Sequence, residues 1–278
     1  MPAPFPRANK RLGQHFLIDQ NIVRKIVAAA ELRPDDTVLE IGPGRGILTA
    51  ALSQAVGRVV AIEIDAELYA MLQARRTEWR NVELICADAL AHPFETLPAG
   101  AIVVANLPYY ISTPLLFKLL GHRPRFPRLV LMLQNEVADR LVAGPGHADY
   151  GILSVMTQYA ADVTKAFKVS ANCFRPRPAV GSAVVVLRPR PQPLLPPAEE
   201  ARFAAVVKGA FAHRRKTVVN SLRDEGYEPS NVSEALAAMH VVPTVRAEML
   251  ALDQFMELAG RLRLRLPSGP SNHPSRLN

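Results

Sequence analysis

Five short apolar runs rich in β-branched residues follow one another at even spacing: TVLEIG (37–42), RVVAIEI (58–64), VELICA (82–87), AIVVA (101–105) and LVLML (129–133). Helix-like stretches lie between or after them at 46–56, 66–76, 114–120 and 136–142. A strand with no polar face needs cover on both sides. Strands of that kind alternating with helices therefore specify a parallel sheet sandwiched between helical layers. A further helix over 151–161 leads to VTKAFKV (163–169) and SAVVVLRP (182–189), two strands joined by a Pro-rich loop. They are expected to close the sheet as an antiparallel pair, giving seven strands.

The segment PRPQPLLPP (189–197) holds five prolines in nine positions, which neither a helix nor a central strand tolerates. It marks a linker at 191–197, separating a large domain over 1–190 from a small helical one over 198–267, with helices at 199–222, 232–239 and 252–263. The polar tail 268–278 is expected to be disordered. At roughly 150 residues per domain, the 278-residue chain accommodates this division. No apolar run approaches the ~18 residues of a membrane span, and no signal core follows the basic N-terminus. Cys86 and Cys173 form neither a disulfide framework nor a zinc pattern, and no metal site is expected. Cys86 is expected to be buried in its strand, and the protein to be soluble and cytoplasmic.

Charge is concentrated in one place. Residues 1–162 carry 16 basic and 16 acidic side chains, whereas residues 163–223 carry 12 basic and 2 acidic, and 224–278 carry 5 and 7. The formal net charge of +8 thus resides in a 61-residue stretch, which suits a polyanionic partner bound through counterion release. A solvated surface is the alternative.

Two motifs carry chemistry. VLEIGPGRG puts Gly42, Gly44 and Gly46 between the first strand and a helix, with Glu63 at the end of the next strand, where it can accept both hydroxyls of a ribose. A dinucleotide loop needs a third glycine where Ile47 stands, and no hydride-transfer acid or base is in evidence, so an NAD-dependent dehydrogenase is excluded. The E-x-G-x-G-x-G spacing from Glu40 suits an adenosyl cofactor without a pyrophosphate, which S-adenosylmethionine is. Asp88, after the third strand, is placed to accept from an adenine amine or to cap a helix.

The second motif is Asn106-Leu107-Pro108-Tyr109, at the carboxyl end of the fourth strand. It is either a plain turn or a site for methylating an exocyclic base amine. In the second reading the Asn106 oxygen and the Leu107 carbonyl accept the two N–H bonds, Pro108 fixes the turn, and Tyr109 stacks on a flipped base.

Beyond these motifs the chain resembles the ribosomal RNA adenine N6,N6-dimethyltransferases. The resemblance runs from about residue 10 to 222 through KRLGQHFL (10–17), LEIGPGRGILT (39–49), NLPYYIST (106–113), QNEVADRLVAGPG (134–146), YGILSVMTQY (150–159), FRPRPAVGSAVV (174–185) and FAHRRKTVVNSL (211–222). It implies a Rossmann-like seven-stranded class I methyltransferase domain with a small all-helical C-terminal domain. It also implies a cofactor site at His15, Leu17, Gly42, Gly44, Glu63, Asp88 and Asn106, and a base-stacking loop at Phe174, for which a plain hydrophobic-core role is the alternative. Lys10 and Arg11, on an N-terminal arm over 1–18 that is alternatively a frayed basic terminus, and Arg214, Arg215 and Lys216 at the opening of a helix are the candidate RNA contacts. One or more of the last three is alternatively paired with acidic side chains of the large domain. The family's F-x-P-x-P-K-V-D-S block here has Ala179 for lysine and Gly181 for aspartate, which puts one phosphate contact in doubt.

The activity implied is dimethylation of two adjacent adenosines in the 3′-terminal hairpin of 16S RNA during 30S subunit biogenesis, by a monomer. Two alternatives are a 23S RNA adenine dimethylase conferring antibiotic resistance and a ribosome-assembly factor with incidental catalysis. Gln134, Glu136 and Arg140 read as structural, and His92, His122 and His147 as solvated loop residues.

Overall fold

A computed structural model describes residues 6–9 and 12–262. In chain order the elements are β1 (Phe16–Leu17), α1 (Gln20–Ala29), β2 (Thr37–Ile41), α2 (Ile47–Ala55), β3 (Arg58–Glu63), α3 (Ala66–Ala74), β4 (Val82–Cys86), β5 (Ile102–Asn106), α4 (Ser112–Gly121), β6 (Leu129–Gln134), α5 (Asn135–Val142), α6 (Ile152–Ala160), β7 (Ala161–Val169), β8 (Phe174–Arg175), β9 (Ser182–Pro189), α7 (Pro197–Ala210), α8 (Val218–Asp224), α9 (Pro229–Ala238) and α10 (Leu252–Arg261).

The seven-stranded sheet has the order β4-β3-β2-β5-β6-β9-β7. Strands β2 to β6 run parallel, and β9 pairs antiparallel with both β6 and β7. All five apolar runs become parallel strands, and the expected antiparallel closure is present. Burial follows from position. Central β5 and β6 are buried almost throughout, whereas β4 lies at the sheet edge and its last residue, Cys86, is exposed. The expectation of a buried Cys86 is thereby corrected: a run that looks apolar has a free outer side once it sits at an edge. His122 is corrected too. It ends α4 half-buried, its Nδ1 donating to the Lys118 carbonyl at 2.8 Å and its Nε2 2.8 Å from Glu95 Oε1.

By internal contacts the chain divides into Met1–Val142 with Thr157–Gln192, and Ala143–Met156 with Pro193–Asn278. The second unit is built around α7, α8, α9 and α10, with Phe203, Val207, Leu222, Leu236, Phe255 and Leu258 buried. Tyr150 joins this core, its hydroxyl donating to the Leu250 carbonyl at 2.9 Å while burial pushes its pKa up to about 12. The single helix expected over 199–222 is two helices broken at 211–217, where the side chain of Thr217 accepts from Asn220 N and caps α8. Among the described residues, no helix is long and apolar enough to cross a membrane.

Candidate active site

The chain leaves β2 towards β3 and β4 on one side and returns to β5 on the other, so β2 and β5 are parallel neighbours flanking a switch in strand order. In open α/β sheets the crevice at the carboxyl ends of such a pair is where ligands bind. A cavity opens there, and Leu12–Leu17, the Gly-rich turn, Glu63, Asp88 and the Asn106–Ile111 turn all line it.

The Gly-rich turn is held open from below. Gly42 N continues the ladder to the Ile62 carbonyl at 2.9 Å, and Gly44 N donates to Glu63 Oε2 at 3.0 Å. Glu63 Oε1 accepts from Asp65 N at 2.9 Å. Burial raises the Glu63 pKa, and the two backbone donors oppose that rise. Each oxygen keeps a lone pair for a further donor. The glycines serve different ends. A Cβ on Gly42 (φ +71°) would meet nothing closer than the Asn106 carbonyl at 3.9 Å, so the backbone face there stays bare. One on Gly46 (φ +79°) would lie 2.8 Å from both Leu72 and Trp79, so that glycine lets α2 pack against α3 and the loop behind it.

Glu40 is fully buried at the floor of the cavity, and its Oε2 has no hydrogen-bond partner among the described residues. Burial above all, reinforced by the neighbouring Glu63 carboxylate, pushes its pKa up to about 8. Asp88 follows β4, and its two sequence readings turn out to be compatible. Oδ1 caps a helical turn by accepting from Leu90 N at 2.8 Å, and the second oxygen remains available at the cavity wall.

Asn106 ends β5. Its Nδ2 donates to the His15 carbonyl at 3.3 Å, which orients the amide and leaves Oδ1 without a donor among the described residues. Leu107 N donates to the Met132 carbonyl at 3.2 Å, while the Leu107 carbonyl likewise accepts nothing among those residues. Downstream, the Pro108 carbonyl accepts from Ile111 N at 3.2 Å and the Tyr109 carbonyl from Ser112 Oγ at 3.0 Å. The Tyr109 hydroxyl is hydrogen-bonded to Ser182 Oγ at 3.0 Å, and its ring centroid lies 5.8 Å from that of His15. Hydrogen bonds on either side of the two open acceptors thus hold the turn. Tyr110, which sequence reasoning passed over, lines the cavity beside them and is 53% exposed.

His15 and Leu17 reach the cavity through the short β1–β8 ladder, in which Leu17 is paired with Phe174. His15 Nδ1 donates to the Pro176 carbonyl at 2.8 Å. Phe174 lines the cavity too but is only 1% exposed, packed in the core cluster with Leu17, Ile22 and Val23. Its ring therefore offers no free face in this arrangement. At Gly181, a Cβ would fall 2.8 Å from Asn135 Nδ2, so the glycine that departs from the family pattern accommodates that side chain; Ala179 is exposed.

The basic stretch is less uniform than its sequence. Lys165 pairs with Asp139, Arg188 with Glu31 and Arg190 with Asp162. Arg214, Arg215 and Lys216 sit in the turn between α7 and α8 and do not open a helix. Lys216 pairs with Asp224 at 2.6 Å, an acidic partner in its own unit and not in the large domain. Arg214 and Arg215 are exposed and have no partner among the described residues. Lys10 and Arg11 lie outside the described residues.

The ribosomal RNA adenine dimethylase family profile matches residues 6–263. The chain belongs to that family. It is 46% identical over 265 residues to the ribosomal RNA small subunit methyltransferase A of Moorella thermoacetica, covering 91% of this chain and 92% of the relative. With the protein of the same name from Geobacter metallireducens it shares 44% over 260 residues, covering 91% and 94%. Among solved structures, a dimethyladenosine transferase from Plasmodium falciparum superposes with a TM-score of 0.74 at 29% identity, covering 88% of this chain and 96% of that one. The 23S rRNA methyltransferase ErmE gives 0.72 at 31%, covering 89% and 99%. The protein is an rRNA adenine dimethyltransferase with the Rossmann-like methyltransferase fold, and ribosomal RNA is its substrate.

Proposed function

We propose that the cavity binds S-adenosylmethionine and that the Asn106–Tyr109 turn presents to it the N6 amines of two adjacent adenosines in the 3′-terminal hairpin of 16S RNA, during 30S subunit biogenesis. The observation that carries this reading is the pair of open acceptors, Asn106 Oδ1 and the Leu107 carbonyl, held rigidly at the carboxyl edge of β5. When bound, the cofactor supplies an electrophilic methyl group on a sulfonium.

The residues present fit that group. Glu63 and the second oxygen of Asp88 are acceptors for ribose hydroxyls and an adenine amine. Glu40, buried with an unpartnered oxygen, is an acceptor waiting for the ammonium of an amino acid. Bare backbone at Gly42 leaves room for the chain between.

An exocyclic adenine amine is a poor nucleophile because its lone pair is delocalised into the ring. Accepting both of its N–H bonds favours the form in which positive charge grows on nitrogen, and that charge exists only as the bond to carbon forms. The alkylated amine then loses its proton to water. After the first transfer one N–H remains, so a single acceptor holds the amine for the second. Tyr109, its hydroxyl tethered to Ser182, offers a fixed ring face to a flipped base. Phe174 serves that role only if its packing against Leu17 opens, so we assign it to the cavity wall.

Identity of 40–46% to enzymes of the small subunit, against 31% to the 23S enzyme, favours the small-subunit substrate. Site residues, substrate and a site of action in the cytoplasm, by a monomer, stand together on this reading. Mapping N6,N6-dimethyladenosine in ribosomal RNA from cells with and without the protein tests it. Loss of the paired modification in 16S RNA is expected. Loss in 23S RNA, or no loss at all, points to a resistance-type dimethylase or to an assembly factor.

A further inference from the structure

The turn that carries Asp88 is a short helical one, and both of its ends are satisfied. At the start, Asp88 Oδ1 accepts from Leu90 N, and the Asp88 carbonyl accepts from Ala91 N at 3.0 Å and His92 N at 2.8 Å. At the far end, three carbonyls that no backbone donor reaches among the described residues, those of Ala89, Leu90 and His92, converge on Lys118 Nζ at 3.1, 2.8 and 2.5 Å. An ammonium has three donors, and here each has an acceptor. The cation also sits 4.3 Å from the centroid of the buried Phe94 ring. Loss of hydration tends to lower the Lys118 pKa, and the carboxylates of Glu95 and Asp88 oppose this. Lys118 belongs to α4, the helix that begins directly after the Asn106–Tyr109 turn.

One side chain thus ties the turn bearing Asp88 to the helix that follows the Asn106–Tyr109 turn. A positive charge at the carbonyl end of a helical turn stabilises that turn as a cation does a helix C-terminus. We propose that Lys118 is a positioning residue for adenine recognition. It locks the 88–92 turn so that the free oxygen of Asp88 is held where the cofactor's 6-amino group arrives. This rests on the assignment of Asp88 as the adenine acceptor.

The test compares affinities for S-adenosylhomocysteine and its 6-oxo counterpart, S-inosylhomocysteine, which has no amino group for Asp88 to accept from. Calorimetry on wild type is expected to show preference for the adenine ligand, and Asp88→Ala is expected to abolish that preference. Lys118→Gln should weaken the adenine ligand about tenfold, the size of coupling usual between contacting groups. It should leave the 6-oxo ligand unchanged and add nothing in the Asp88→Ala background. Without any ligand, amide exchange at Ala91 and His92 should quicken. Lys118→Arg, which keeps the charge but changes its reach, should fall between, and it carries the same comparison if Lys118→Gln does not fold.

Equal loss for both ligands, or a loss that persists beside Asp88→Ala, overturns the positioning role. A wild-type protein without adenine preference overturns the assignment of Asp88 first, and the proposal with it.

Discussion

The cavity at the β2–β5 crevice and the turn between α7 and α8 both carry charged side chains that we propose meet a ligand, yet they are built in opposite ways. In the cavity every carboxylate is buried or capped. Glu63 accepts two backbone donors, Asp88 one, and Glu40 is fully buried. In the turn, Arg214 and Arg215 stand in solvent without partners among the described residues, while Lys216 and His213 are held by Asp224 at 2.6 and 3.3 Å. Differential stabilisation of a transition state demands groups fixed before the substrate arrives, and fixing them means burying them. Counterion release from phosphates needs only mobile positive charge near the backbone. On the proposed reading, one region works by position and the other by net charge.

This contrast can be sharpened or broken by substitution. The largest effect is expected at Gly46→Ala, which combines a left-handed backbone with a methyl 2.8 Å from Leu72 and Trp79. A loss of about 2–4 kcal/mol is expected from strain plus overpacking. The control Gly100→Ala (φ +81°, nothing within 4 Å) should cost only the strain, about 1–2 kcal/mol. Thermal denaturation of both proteins measures the difference, and equal losses would mean that the Gly-rich turn is not tightly held.

Next in size is the pH response of Glu40, whose pKa is up at about 8 when folded against an ordinary 4.5. Between those values the folded state keeps a proton that the unfolded chain has released, so stability falls as pH rises through that window. The limiting slope is about 1.4 kcal/mol per pH unit. Glu40→Gln should flatten the fall in melting temperature between pH 5.5 and 7.5. A slope identical to wild type would place the titration elsewhere.

A smaller effect is expected when the exposed arginines are replaced together. Arg214→Ala with Arg215→Ala should reduce the log–log salt slope of RNA binding by about 0.7–0.9 for each phosphate that the arginines no longer neutralise, with cofactor affinity unchanged. An unaltered slope would make this turn an ordinary solvated surface.

The sequence made the positional region more legible than the electrostatic one. The apolar runs located the five parallel strands because double burial leaves a pattern in the residues themselves, and 182–189 matched β9 to its ends. All the residues singled out for cofactor and amine lie on one cavity; the glycines, Glu63, Asp88 and the Asn106–Tyr109 turn do so because their motifs mark the carboxyl ends of β2 to β5. What escaped was non-local. The two-residue β1 and β8 have no periodicity to read, and their pairing joins Leu17 to Phe174 across most of the large unit. That pairing is also what buries Phe174. The break at 211–217 interrupts residues that are mostly good helix formers, and only Thr217, a capping residue, hints at it. The charge run of 163–223 read as one footprint, but Lys165, Arg188 and Arg190 fold back onto acidic partners that no local pattern reveals. Helix α1 carries a clear amphipathic face and an Asp19 cap; it lies just past the KRLGQHFL block, outside the stretches read as elements.

The division of labour between the two regions is tested most directly by measuring two constants on the same proteins: the single-turnover methylation rate at saturating S-adenosylmethionine, and the RNA dissociation constant. Asn106→Ala removes one of the two amine acceptors. It should slow methyl transfer by about 10²–10³, the scale of a missing transition-state hydrogen bond, and leave RNA affinity as it was. The Arg214→Ala, Arg215→Ala protein should show the reverse, with weakened RNA binding and a near wild-type rate once RNA is saturating. If Asn106→Ala instead methylates at the wild-type rate under saturation, the turn is a structural one and the chemistry assigned to it is wrong.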